Sequence, residues 1–376
     1  MKTEKLYDID SHLCEFDAAV LSCEASKGGY KIMLDKTAFF PEGGGQASDR
    51  GTLDTAEVFD VQIENGEIYH YSDKVFEVGV TVHGKLDFAR RHTFMQNHTG
   101  EHIVSGILHK LYGFSNVGFH LGEEFATLDF NGELTREQLD EVEYLANLKV
   151  WQNLPVKTYY PDKEQLRNLD YRSKGELEGD IRIVEITDTD MCACCAPHVK
   201  NTGEIGVIKL LDTLRMRGGT RVTFKCGSFA LLDYRKKYEN AVRISNLLSA
   251  KQDEIVNAVD VLASKLDAEK QAHQETAYRM INQIIDAADT RAVFVENLET
   301  KELQALADGL HKAKGGLCGA FSKREDGYAF AICDEEEPLQ KFFTEFKEKF
   351  TVRGGGRGTM VQGTVYKNEE EIKLFF

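Results

Sequence analysis

RRHTFMQNHTGEHIVSGILHKLYG, residues 90–113, is the stretch on which the reading of this chain turns. It reads as a helix, and on a helix His98 and His102, four residues apart, share one face a single turn apart, where both imidazoles can reach one metal ion. Upstream, the pattern is different. The runs YKIML, AEVFDVQI, EIYHYS and VTVHGKL are β-type and separated by glycine-bearing turns, which predicts a small β-rich domain, a barrel, ending near residue 88. Downstream, REQLDEVEYLANLKVWQN is helical again, whereas IRIVEIT, EIGVIKLL and TRVTFKCG read as strands. The helix at 90–113 therefore opens an α+β domain that extends to about residue 232.

No proline occurs between Pro197 and Pro338, and no glycine from about 232 to 290, so residues 233–290 are free to form one long helical connector. Leu248, Ile255 and Leu262 recur every seven residues, and Val259 and Leu266 fall four after the last two. This short heptad seam suits dimerisation as well as packing onto the same chain. Residues 291–376 alternate β-type and helical runs and predict a small α/β domain, which ends in TVRGGGRGTMVQGTV and lacks a phosphate loop of the GxxxxGK[ST] kind. The expected fold class is α+β, with segments 1–88, 89–232, 233–290 and 291–376.

Composition narrows the possibilities further. At 376 residues, 42% hydrophobic and 29% charged, the chain has the make-up of a folded protein of two or three domains. It has no apolar run of the roughly 18 residues that span a bilayer. The start, MKTEKLYDIDSH, lacks the apolar core of a signal peptide, and a cytoplasmic location is expected. A net charge of −16 argues weakly against nucleic acid, but LRMRGGTRVTFK (214–225) and KFFTEFKEKFTVRGGGRG (341–358) each offer a local basic face.

Eight cysteines are too sparse for a disulfide scaffold, and three crowd into MCACCAPH, 191–198. Cys194 and His198 are four apart, as His98 and His102 are. Together the pairs make a tetrahedral set of three imidazoles and one thiolate suited to Zn2+. On spacing alone Cys194 is favoured, while Cys192 and Cys195 stay open as alternatives. Asp188 and Asp190 can accept from imidazole N–H groups, although loop capping is the commoner job. Four protein ligands ordinarily close a site, whereas catalysis needs an open position, and both outcomes stay open. HTGEH also fits the H-x-x-E-H pattern of inverted zinc peptidases, with Glu101 as base, but that pattern gives Cys194 and His198 no part.

Five ordered motifs carry a more specific resemblance: TAFFPEGGGQ (37–46), NHTGEH (97–102), CCAPHVKNTGEIG (194–206), RGGTRVTF (217–224) and RGGGRGTMVQG (353–363). In this order the first four resemble the editing domain of alanyl-tRNA synthetases and the fifth their C-terminal domain, and together, over nearly the whole chain, they resemble more closely the long form of the free-standing AlaX editing proteins. The resemblance implies hydrolysis of serine or glycine from the tRNA of alanine, in trans and without aminoacylation. It implies zinc on His98, His102, Cys194 and His198, a catalytic pocket with Thr37 facing a serine hydroxyl and Gln46 facing the substrate, and a tRNA grip through Arg353, Gly354, Gly355, Gly356 and Arg357, with room for a homodimer through the helical connector or the C-terminal domain. The family pattern has C-G-G-T-H where this chain has CCAPH, and H-T-A-T-H where it has HTGEH. Pro197 stiffens the metal loop and Cys195 adds a spare thiol, while Glu101, outside the family pattern, is expected to be exposed and dispensable. A zinc protein that binds tRNA without hydrolysis is the remaining alternative.

Overall fold

The computed structural model describes residues 2–173 and 179–376, a mixed α+β chain that divides into two compact units, Met1–Asn240 and Ala241–Phe376. Among the described residues no helix is long and apolar enough to cross a membrane.

In the first unit, six strands pair in a closed cycle: Glu15–Ser26, Gly29–Leu34, Glu67–Ser72, Ala56–Glu64, Gly51–Leu53 and Thr81–Leu86. All six pairings are antiparallel. Alternation sets their inner faces. Val82 and Leu86 point inward from one strand and Phe16, Ala18 and Val20 from its neighbour, meeting Ile32, Leu34, Val58, Val61 and Ile68 in one apolar core.

A polar ring, that of His70, sits inside this barrel. His70 is fully buried, with Nδ1 3.2 Å from the Ile32 carbonyl and Nε2 2.8 Å from the Thr37 hydroxyl. A carbonyl only accepts, so Nδ1 carries the proton and Nε2 accepts from Thr37. Burial pulls the His70 pKa down to about 4, against the opposing pull of the Ile32 carbonyl. The unfolded chain then takes up the proton near pH 6.5 and the folded chain only near 4, so the stability His70 confers at neutral pH is lost as pH falls through that window. Relative to a His70→Gln variant, wild type is expected to lose about 3 kcal/mol of stability between pH 6.5 and 4. Urea denaturation across the window checks this, and parallel pH profiles of the two proteins would refute it.

The remainder of the first unit is built round the helix Phe88–Tyr112. Asp87 caps its start by accepting from the Arg90 N–H, and Gly113, at φ 69°, closes its end in the left-handed conformation. Every residue from Phe94 to Leu108 is buried. Its apolar side chains pack against the four-stranded antiparallel sheet Ile208–Met216, Gly219–Cys226, Ala126–Phe130 and Asn116–Leu121, and against the helix Arg136–Trp151. A second sheet joins Val156–Tyr159, Ile183–Ile186 and Asp190–Ala193.

The second unit holds the helix Ile255–Ala287 and a five-stranded sheet ordered Ala292–Val295, Cys318–Arg324, Gly327–Cys333, Met360–Val365, Val352–Gly355. The first pair is parallel, bridged by the helix Thr300–Lys314, and the rest are antiparallel.

The expected single connector helix is interrupted. One helix, Gly227–Leu248, ends before the next begins at Ile255. Ser249 takes φ 51°, the position usually given to glycine, and the Ala250 N–H returns 3.0 Å to the Ser245 carbonyl, closing the end as a Schellman motif does. With serine in place of glycine, the stop carries no sequence signal. Leu248 and Ile255 therefore lie on different helices, and Val259, Leu262 and Leu266 stand 46%, 55% and 54% exposed.

Candidate metal centre

The buried stretch of the helix Phe88–Tyr112 is unusually polar, and each buried polar side chain there must find a partner. His98 and His102 are 1% and 2% exposed, and His198, 2% exposed, joins them from the loop after Asp190–Ala193. The ring centroids of His198 lie 4.9 Å from His98 and 4.7 Å from His102. One ligand atom from each of His98, His102, Cys194 and His198 falls within 4.8 Å of all the others. The Cys194 sulfur is 3.5 Å from His98 Nε2 and 3.4 Å from His198 Nε2.

Two ligands held at zinc's usual bond lengths and a tetrahedral angle stand about 3.5 Å apart, so the donor set fits the ion in both chemistry and spacing. Each imidazole is also oriented through its other nitrogen, as ligating histidines are. His98 Nδ1 is 3.0 Å from Gln46 Oε1, His102 Nδ1 is 2.8 Å from Asp190 Oδ2, and His198 Nδ1 is 3.0 Å from Thr99 Oγ1. All three Nε2 atoms are left for a ligand.

Electrostatics favour the same arrangement. Burial alone pushes the Cys194 thiol up, but the surrounding imidazoles, His98 foremost, overcome it and hold the thiol well below its ordinary value. His102 is raised to about 10 in spite of burial, through Glu101, Asp190 and Cys194. A more basic imidazole is a stronger ligand. Asp190 is held in turn by Arg172, whose Nε and Nη2 donate to its two oxygens at 2.7 and 2.8 Å. The orienting role, and not loop capping, is thus what Asp190 takes. Gly106 makes room for it: a Cβ there would stand 2.4 Å from the Thr189 carbonyl oxygen and 2.8 Å from Asp190 Cβ.

Of the spare thiols, Cys192 is buried and pushed up by that burial, and it lies beside His102 and Asp190. The Cys195 sulfur lies over the glycine triplet, 3.7 and 3.6 Å from where Gly43 and Gly44 would carry a Cβ, although the residue as a whole is exposed. Neither sulfur enters the four-donor set.

Gln46 reaches the site from the barrel's loop. Its backbone pairs with Gly43 in both directions at 3.0 Å, and the Leu121 N–H donates to the Gly45 carbonyl at 2.9 Å. Gly45, at φ 81°, permits this approach, since a Cβ there would lie 2.6 Å from the Phe119 carbonyl oxygen. Gln46 is 1% exposed, its Oε1 is taken by His98, and its Nε2 has no hydrogen-bond partner among the described residues. Thr37 takes a different position: its hydroxyl donates to His70 and accepts from the Phe39 N–H at 3.0 Å. The structure brings Gln46, and not Thr37, into hydrogen-bond contact with one of the four donors, His98.

Glu101 corrects an expectation. It is not exposed but 1% exposed, because the helix is enclosed on every side at this point. Its Oε1 accepts from Ser105 Oγ at 2.9 Å and Asn116 Nδ2 at 2.5 Å, and its Oε2 lies 3.5 Å from His102 Nε2.

Arg353 and the glycines Gly354–Gly356 lie on and beside the edge strand Val352–Gly355 of the second unit, exposed with Arg357. A Cβ on Gly354 would stand 2.2 Å from the Gln362 carbonyl oxygen, and one on Gly356 2.1 Å from that of Met360, so the triplet also serves close strand pairing.

Residues 181–222, which contain Cys194 and His198, match the family model of the threonyl and alanyl tRNA synthetase second additional domain, and residues 11–90 match that of class II (A) tRNA synthetases. By these matches the chain is similar to the second additional domain of threonyl and alanyl tRNA synthetases and to class II (A) tRNA synthetases. More particularly, the chain is a relative of the free-standing editing proteins: it is 28% identical to Alanyl-tRNA editing protein AlaX-L of Pyrococcus horikoshii, over 98% of this chain and 96% of that one. It is also 29% identical to the alanine–tRNA ligase of Ignicoccus hospitalis and 37% to that of Natronomonas pharaonis, over 99% and 61% of this chain. It spans only 42% and 26% of those ligases.

Proposed function

We propose that the protein is a trans-editing hydrolase that cleaves serine or glycine from the tRNA of alanine, with zinc held by His98, His102, Cys194 and His198. The unpartnered Nε2 of Gln46, buried beside the four donors, is the observation that carries this reading. A buried amide donor left without an acceptor is costly, and a bound ester supplies the acceptor it lacks. His98 fixes which end of the amide faces the ligand, because its Nδ1–H takes Oε1. Zinc, when bound, supplies Lewis-acid polarisation of the ester carbonyl or of water.

Thr37 enters through the family resemblance as the partner of a serine hydroxyl. Its own proton goes to His70 and one lone pair to the Phe39 N–H, so toward a ligand it can only accept, and a serine hydroxyl would have to donate. A synthetase pocket sized for alanine cannot fully reject glycine or serine, which is why such a second sieve is needed. The exposed Arg353 and Arg357 would meet tRNA phosphates, assisted by the backbone of Gly354–Gly356. The exposed Val259, Leu262 and Leu266 would serve a homodimer, in a cytoplasmic protein organised as segments 1–88, 89–232, 233–290 and 291–376.

The decisive measurement is amino-acid release from seryl-, glycyl- and alanyl-tRNA of alanine by the zinc-loaded protein. Release of serine or glycine with alanine spared is expected. A zinc-loaded protein that leaves all three intact would sink the catalytic reading.

A further inference from the structure

We propose a second divalent transition-metal site, of the zinc class, formed by His12, His92 and Glu204. These residues come from three separate parts of the first unit: the segment ahead of the barrel strands, the second turn of the helix Phe88–Tyr112, and the short turn Thr202–Ile205 after the metal loop. One donor atom from each lies within 4.8 Å of the other two. Glu204 Oε2 is the common point, 2.7 Å from His12 Nε2 and 3.6 Å from His92 Nε2.

The carboxylate is fixed before any ion arrives. Its other oxygen accepts from the Lys200 and Asn201 N–H groups, both at 3.0 Å, and Gln96 Nε2 donates to the Glu204 carbonyl at 2.8 Å. His12 is steadied by its own N–H, which donates to Asp10 Oδ1 at 2.9 Å, and Asp10 pairs with Lys200 at 2.8 Å. Phe88 flanks both rings, its centroid 5.8 Å from each. Such support is what a ligand set needs to hold its geometry.

His12 Nε2 and Glu204 Oε2 are hydrogen-bonded at 2.7 Å, and the ion takes the place of the hydrogen between them. His12 Nδ1, 3.2 Å from Ser11 Oγ, then carries the ring's hydrogen and donates it there. The carboxylate withdraws from His12 by a fraction of an ångström and His92 closes toward it, since two such ligands on one ion stand about 3.0 to 3.4 Å apart. Two imidazoles and a carboxylate select zinc, cobalt or nickel over magnesium or calcium. The side chains are 24%, 31% and 27% exposed, which leaves room for water to complete the coordination. The ion would clip the segment ahead of the barrel to the helix bearing His98 and His102 and to the turn six residues beyond His198.

Zinc per chain, measured by elemental analysis after dialysis of the full-length protein against buffered free zinc, tests this. His12→Asn and His92→Asn, on different elements, are each expected to hold one zinc fewer than wild type. Zinc should also raise the Tm of Cys194→Ser protein, and should no longer do so when His92→Asn is added. Equal zinc in wild type and both histidine variants overturns the second site and leaves the four-donor centre untouched. Loss confined to Cys194→Ser would do the same.

Discussion

Cys194→Ser is expected to weaken zinc binding by more than about 100-fold and to carry the deacylation of mischarged tRNA down with it. The thiolate is the sole anionic member of the four-donor set, and the imidazoles around it hold it ionised against the cost of burial. A serine hydroxyl does not ionise there, so the ion would lose the one anionic member of its four-donor set. Cys195→Ser is the matched control, one residue away, and is expected to leave zinc content unchanged because its sulfur lies over Gly43 and Gly44. Zinc titration of both variants, with ester hydrolysis followed alongside, separates the two thiols. Equal losses would show that either sulfur can serve.

Arg91→Met is expected to cost about 3 to 5 kcal/mol of stability, the largest single effect away from the metal centre. Arg91 is fully buried; its Nε donates to both oxygens of Asp49 at 2.9 Å, Nη2 also donates to Asp49 and, at 2.7 Å, to the Ala38 carbonyl, and Nη1 donates to the Ser11 carbonyl at 3.1 Å. Removing the guanidinium strands a buried carboxylate whose remaining donor is the Phe40 N–H, 2.6 Å away. Adding Asp49→Leu should recover part of the loss, since the orphaned charge and not the missing contact dominates the penalty. Urea midpoints of the two single variants and the double variant give the coupling directly. A loss under about 1 kcal/mol for Arg91→Met would mean that water reaches Asp49.

What the sequence discloses here follows from how local each signal is. His98 and His102 on one helix turn, and Cys194 and His198 at the same spacing, place two donors each without knowledge of the fold, and the structure joins the pairs. Asp190 and Arg172 are different: their role appears only once the strand Asp190–Ala193 lies against Gly106. The burial of Glu101 is not legible in one dimension, because its helix has no outward face at that turn, a property of what surrounds the helix and not of its own pattern. The break at Ser249 escaped for the opposite reason, since a serine there adopts a conformation that normally announces itself as glycine. The cluster of His12, His92 and Glu204 is invisible in one dimension, its members being scattered over almost two hundred positions.

The fastening of the Gln46 loop to the strand Asn116–Leu121 has a wider consequence. Composition draws a boundary near residue 88, yet the amide donor lies before that line and all four metal donors after it. Neither side owns the site. A fragment beginning at the helix Phe88–Tyr112 would keep His98, His102, Cys194 and His198 and lose the Gln46 amide that bonds His98, so the line where composition changes is a seam of the site and not a place to cut.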